Sequence, residues 1–181
     1  MLQQSAVELL TTFRKVEARD FASVVTVVTT DFEALYAYKH GDYQRCLQLS
    51  TEIVQTLFNP EAKRLSSIPT FPEFVQFLDD DIVSLTALTL IINPKCRQYV
   101  RCATITQLTL SLYLMTQCQL KLRHSMASLA QTLDYVEDAE RIHSCRHCTL
   151  DQLVLKLTER KAVTYINFHL QAICRDETVA V

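Results

Sequence analysis

Apolar side chains recur along most of this chain at intervals of three and four residues, the spacing that gathers them on one side of an α-helix. In residues 3–18, Val7, Leu10, Phe13 and Val16 fall into that rhythm. Residues 21–38 open with FASVVTVVTT, β-branched enough for a strand. Phe32, Leu35, Tyr36 and Tyr38 nevertheless continue the run at helical spacing with no turn residue between, so helix is predicted. A further helix over about 43–58 puts Cys46, Leu47, Ser50, Ile53, Val54 and Leu57 on one face. Residues 72–92 carry Phe74, Phe77, Leu88 and Ile91 on one side and Leu78, Ile82, Leu85 and Ile92 on another, which predicts a helix buried between neighbours. After a short basic helix at 95–102, helices follow over about 104–122 and 125–142, the second striped by Met126, Leu129, Leu133 and Val136. A last helix carries Leu150, Leu153, Leu157, Ile166, Leu170 and Ile173.

Turn residues separate these segments. Gly41-Asp42 stands where a helix C-terminus needs a residue of positive φ. Asn59-Pro60 and Asn93-Pro94 close two other helices, and residues 60–70 (PEAKRLSSIPT) read as a loop. Thr70-x-x-Glu73 has capping-box spacing, with Pro72 tolerated in the first turn, and Thr149-x-x-Gln152 precedes the last apolar run. Seven to eight helices with short connections imply antiparallel neighbours. The expected fold is all-α: stacked antiparallel helical hairpins, as an open α-solenoid or an irregular helical bundle. Residues 1–60 form the first hairpins, 61–71 a loop, and 72–181 a second helical region packed on the first as one domain.

Composition sharpens this picture. The chain has one glycine in 181 residues, where average usage of roughly 7% would supply about a dozen. Hairpin turns, bulges and phosphate-cradling loops depend on glycine, so a β-barrel, a Rossmann domain and a P-loop are excluded. A hydrophobic content of 49% is ample for a packed core. The formal charge of −2 provides no long-range field for nucleic acid or anionic lipid. Seven cysteines, an odd number set mostly in helical patterns, fit reduced thiols in the cytoplasm or nucleus. The first fifteen residues lack the basic-then-apolar order of a signal peptide, and the apolar stretch 82–92 is too short to span a bilayer.

The segment Tyr38-x-x-Gly41-Asp42-Tyr43-x-x-Cys46-Leu47 resembles the helix–turn–helix of a tetratricopeptide repeat, with Ala34 and Cys46 as the small residues at the helix crossing and Asn59-Pro60 near the family's closing proline. The likeness covers one unit, residues 27–60. It departs from the family at Thr30 and Ser50, where large and aromatic residues are usual, and no second copy follows. It implies a superhelical stack with a concave, protein-binding face, toward which Tyr38 and Lys39 would point. Alternatively, Tyr38 is a core aromatic.

Candidate chemistry is sparse. His143, Cys145, His147 and Cys148 cluster between two helices, and Cys145-x-x-Cys148 has the spacing that grips one side of a tetrahedral zinc. That is half a site, and no second pair lies at finger spacing; a loop that happens to hold these residues is the plainer reading. Asp79-Asp80-Asp81 cannot converge on one cation from a helix, because successive residues point about 100° apart. The basic segments 95–101 and 121–124 carry few charges and suit helix ends. No nucleophile elbow and no H-E-x-x-H motif occurs. The expected function is therefore a protein–protein interaction scaffold or adaptor that binds a partner's peptide or helix in a helical groove. Neither cofactor nor metal is expected, and neither nucleic acid nor membrane is an expected partner. Three alternatives stand beside it: a helical enzyme or small-molecule binder with a site inside the bundle, a zinc-stabilised helical module, and a piece of a larger chain or homo-oligomer.

Overall fold

The computed structural model describes residues 24–60, 65–70, 80–92, 104–143 and 149–178. Six α-helices lie in this part: α1 (Val24–Lys39), α2 (Tyr43–Phe58), α3 (Asp80–Ile92), α4 (Gln107–Lys121), α5 (Met126–His143) and α6 (Thr149–Thr178). The fold is all-helical. The predicted helices at 3–18 and 95–102, the capping partner Glu73 and the cluster residues Cys145, His147 and Cys148 lie outside the described residues.

The β-branched start of α1 is compatible with helix because its threonines bond back along their own turn. The hydroxyls of Thr29 and Thr30 both donate to the Thr26 carbonyl, at 3.1 and 2.8 Å. The helix then closes in a Schellman motif: the Asp42 N–H donates to Ala37 O (2.9 Å) and the Gly41 N–H to Tyr38 O (3.1 Å), with Gly41 at φ +78°. Asp42 caps α2 by accepting from the Arg45 N–H at 3.1 Å. The two helices pack as a hairpin in which Ala34 and Cys46 are fully buried. All six residues predicted for the inner face of α2 are buried, together with Leu49.

The loop after α2 is tied to the start of α4. A short 3₁₀ turn (Leu65–Ser67) leads to an isolated antiparallel bridge between Pro69 and Thr106. Both the N–H and the hydroxyl of Thr70 donate to Ile105 O, at 2.7 and 2.8 Å, and Gln107 N–H donates to Ile68 O at 2.9 Å. Thr106 caps α4, and its own N–H is held at 2.7 Å by the carboxylate of Asp151, in the first turn of α6. Three separate segments thus meet at one helix end.

Helix α4 is the hub of the molecule. It packs against α1, α2, α5 and α6, and every side chain from Gln107 to Gln119 is buried. A helix with no wet side must bury its polar residues too. Some of these are paired in the interior, whereas the side-chain amide of Gln107, the Thr116 hydroxyl and the Gln117 amide nitrogen are buried without a hydrogen-bond partner among the described residues. Ser111 donates to Asp31 of α1 at 2.7 Å, and Gln119 joins Thr132 and Ser128 of α5 at 2.9 and 3.1 Å. A second Schellman motif ends α4: His124 N–H donates to Gln119 O (2.9 Å) and Arg123 N–H to Leu120 O (3.3 Å), with Arg123 at φ 52° where glycine is usual.

Helix α3 departs from the expectation of burial on two sides. It packs on α6, and among its residues Ile82 and Thr89 are buried while Val83, Leu88, Ile91 and Ile92 are exposed. Among the described residues the main packing partner of this helix is α6. Helix α6 is anchored through its N-terminal half. Leu150, Val154, Leu155, Thr158 and Ala162 are buried at helical spacing, and none of its described side chains beyond Ala162 is. From Ala162 to Thr178 the helix continues for roughly 24 Å at 1.5 Å per residue. Leu170, placed on the inner stripe by the sequence pattern, is exposed. Among the described residues no helix is long and apolar enough to cross a membrane.

Candidate docking surface

One side of α6 is built from residues at spacings of three and four: Lys156, Arg160, Thr164 and Phe168 are exposed, and Leu153, Leu157, Lys161 and Tyr165 are half-buried. That periodicity puts them on one side of the helix over about four turns. Two open grooves run along this side. One, of about 550 Å³, lies between α6 and the end of α4, where Leu120 completes its wall. The other, of about 360 Å³, lies between α6 and α3, where Ser84, Leu85 and Leu88 face it. Leu157 and Arg160 line both, so the grooves form one surface.

Charge on this surface is uneven. Lys161 pairs with Asp81 at 2.8 Å and lies 5.5 Å from the centre of the Tyr113 ring, so its charge is engaged on two sides. This contact accounts for Asp81 of the aspartate run: it joins α3 to α6. Lys156 and Arg160 have no ion-pair or hydrogen-bond partner among the described residues. The apolar part of the surface is substantial: Leu88 is 50% exposed and Phe168 70%. All seven large apolar side chains that are exposed among the described residues belong to α3 or α6, and two of them, Leu88 and Phe168, line the grooves.

The residues singled out by the tetratricopeptide likeness lie elsewhere. Tyr38 is 8% exposed and meets Tyr43 edge-on, with ring centres 5.8 Å apart, inside the α1–α2 hairpin. Lys39 is exposed at the last position of α1. Neither lines the grooves of α6. Among the described residues no group of three or more His, Cys, Asp or Glu side chains could hold a metal.

One buried acid stands apart from this surface. Asp31 is fully buried, and burial holds its carboxyl well above the usual carboxylate range, opposed in part by the hydrogen bond donated by Ser111. It lines neither groove; its Oδ1 accepts from Ser111 of α4, and its Oδ2 is buried without a hydrogen-bond partner among the described residues.

The stripe on α6 was present in the sequence as alternating Leu, Lys and Arg at helical spacing, but such a stripe reads equally well as a core-facing one with cations at its edge. Comparison with protein-family models, with curated proteins and with solved structures returns no match to this chain.

Proposed function

We propose that this chain is a protein-interaction module, and that a helix or extended peptide of its partner lies along the face formed by α3 and α6. The observation that carries this reading is the segregation of exposed apolar side chains onto those two helices. Contiguous apolar surface rimmed by charge marks a contact for another macromolecule. Helical grooves take partner helices through anchors repeating at three- and four-residue intervals. Leu153 and Leu157 form one such pair, and Tyr165 and Phe168 a second, about two turns further along the same side.

For the tetratricopeptide-type arrangement, the support is confined to the α1–α2 hairpin, with its αL Gly41 and its buried Ala34 and Cys46. The contacts of α4 with four other helices favour a bundle closed around one helix over an open superhelix, in which each unit meets its neighbours alone. The docking face is accordingly placed on α3 and α6 and not beside Tyr38 and Lys39.

Affinity capture from cells tests the reading. The full chain, a Leu88→Asp/Phe168→Asp double variant and a Lys39→Glu variant are used as baits, with far-UV circular dichroism to confirm equal helicity. The double variant is expected to lose the partner and Lys39→Glu to retain it. A partner kept by the double variant, or lost on Lys39→Glu, overturns this placement.

A further inference from the structure

Resting on the assignment of the α3–α6 face as the docking surface, we infer that its occupant is an acidic amphipathic helix: an apolar stripe flanked by carboxylates about one turn apart. The inference comes from the charge that this face leaves unanswered. Its lining residues include three cations, Lys156, Arg160 and Lys161, and one acid, Asp81. The Lys161–Asp81 contact at 2.8 Å removes one of each. Lys156 and Arg160 remain, with no ion-pair or hydrogen-bond partner among the described residues.

These two cations are four residues apart, so they lie about 6 Å apart along the axis of α6 on one side of the helix. Leu153 and Leu157 lie between and beside them in the same stripe, and Tyr165 and Phe168 extend it toward the C-terminal half of α6. Leu153 to Phe168 spans roughly 22 Å, the length of about four helical turns. A partner helix of that length with leucine-like anchors toward α6 would bring flanking Glu or Asp side chains opposite Lys156 and Arg160. Arg160 can hold a carboxylate through two parallel N–H donors, whereas Lys156 acts as a mobile point charge. A basic helix would meet two unneutralised like charges at the centre of its contact, which opposes binding. The chain's own net charge of −2 makes this local excess of cations a property of the face and not of the whole protein.

The test uses two labelled synthetic peptides of about 18 residues. Both carry leucine at helical spacing; one has glutamate on the flanks and the other lysine. Binding to the full-length protein is followed by fluorescence anisotropy at low and high salt. The glutamate peptide is expected to bind at least about ten-fold more tightly, with the preference shrinking as salt rises. In a Lys156→Glu/Arg160→Glu variant the preference should invert. Both substituted positions are exposed and without polar partners, so the variant should keep its helicity, and the wild-type comparison stands without it. Equal binding of the two peptides overturns the acidic-helix inference while leaving the groove in place. Binding of neither overturns both. Capture by vesicles of phosphatidylcholine and phosphatidylserine that is lost in the double variant would assign the cations to a lipid surface. Self-association abolished by Phe168→Asp would assign the face to a second copy of the chain. Either result sinks the inference.

Discussion

If α4 has no solvent face, truncating a leucine on either side of it must cost about the same. Leu110 and Leu112 lie two residues and therefore about 200° apart around the helix, and they are 1% and 0% exposed. Leucine to alanine removes roughly three methylene equivalents, worth about 2.4 kcal/mol of transfer free energy. A residual cavity of about 60 Å³ at ~24 cal/mol per Å³ adds about 1.4 kcal/mol. Leu110→Ala and Leu112→Ala should each therefore lose about 4 kcal/mol, a large part of the ~5–15 kcal/mol available to a domain. Urea unfolding followed by far-UV circular dichroism provides the assay. With a slope of about 2 kcal/mol per M, each midpoint should fall by about 2 M. Leu88→Ala, on the half-exposed face of α3, should cost less than about 1 kcal/mol and serves as the comparison. A cost below about 1 kcal/mol at either Leu110 or Leu112 would give α4 a loose or wet side and refute its central position.

Other consequences are open to the same measurement. Arg123 and Gly41 occupy equivalent positions in two Schellman motifs, at φ 52° and 78°, so reciprocal substitutions should have opposite signs. Arg123→Gly removes about 1–2 kcal/mol of left-handed backbone cost against an unfolded-state penalty of about 0.4–1 kcal/mol, and should raise stability by roughly 0.5–1 kcal/mol. Gly41→Ala should lower it by about 0.5–1 kcal/mol, the left-handed backbone cost less the same unfolded-state term, since nothing lies within 4 Å of the added methyl group. An unchanged midpoint in either case would contradict the turn geometry. Asp31 should make stability fall with rising pH: its folded-state pKa is raised, so its contribution is fully present below the ordinary carboxylate value and is lost as pH rises toward the folded value. Asp31→Asn should flatten the profile, with a difference in slope of up to about 1.4 kcal/mol per pH unit from about pH 4 upward. Parallel profiles for the two proteins would show that Asp31 is not held neutral by the fold.

The parts legible in the sequence were those decided locally. Gly41 could be placed because only one residue type enters the αL region without cost, and the inner face of α2 because its apolar residues keep strict helical spacing. Arg123 was invisible for the converse reason: nothing in its chemistry announces positive φ, and the hydrogen bonds of the turn hold it there. Helix α4 was legible as a helix over about 104–122, but its burial on every side was not. Its sequence, QLTLSLYLMTQCQLK, alternates polar and apolar residues in a way that suits a strand, and its Gln, Ser and Thr side chains suggest a wet side. Burial of Ser111 and Gln119 is met by partners in distant segments, Asp31 and Thr132, that no local window contains. The same limit applied to the candidate site. Whether Leu88 and Phe168 face a neighbour or water is a property of the assembled helices, and composition alone favoured burial.

The hub position of α4 also bears on the order in which the chain is made. The α1–α2 hairpin is complete at Phe58, yet its main packing partner begins 49 residues later, at Gln107. At about 5–20 residues per second, translation leaves the hairpin's inner face uncovered for roughly 2–10 s. Ser111 must then reach back across 80 residues to Asp31. Nascent chains ending shortly before residue 107 should be the ones most heavily held by ribosome-associated chaperones.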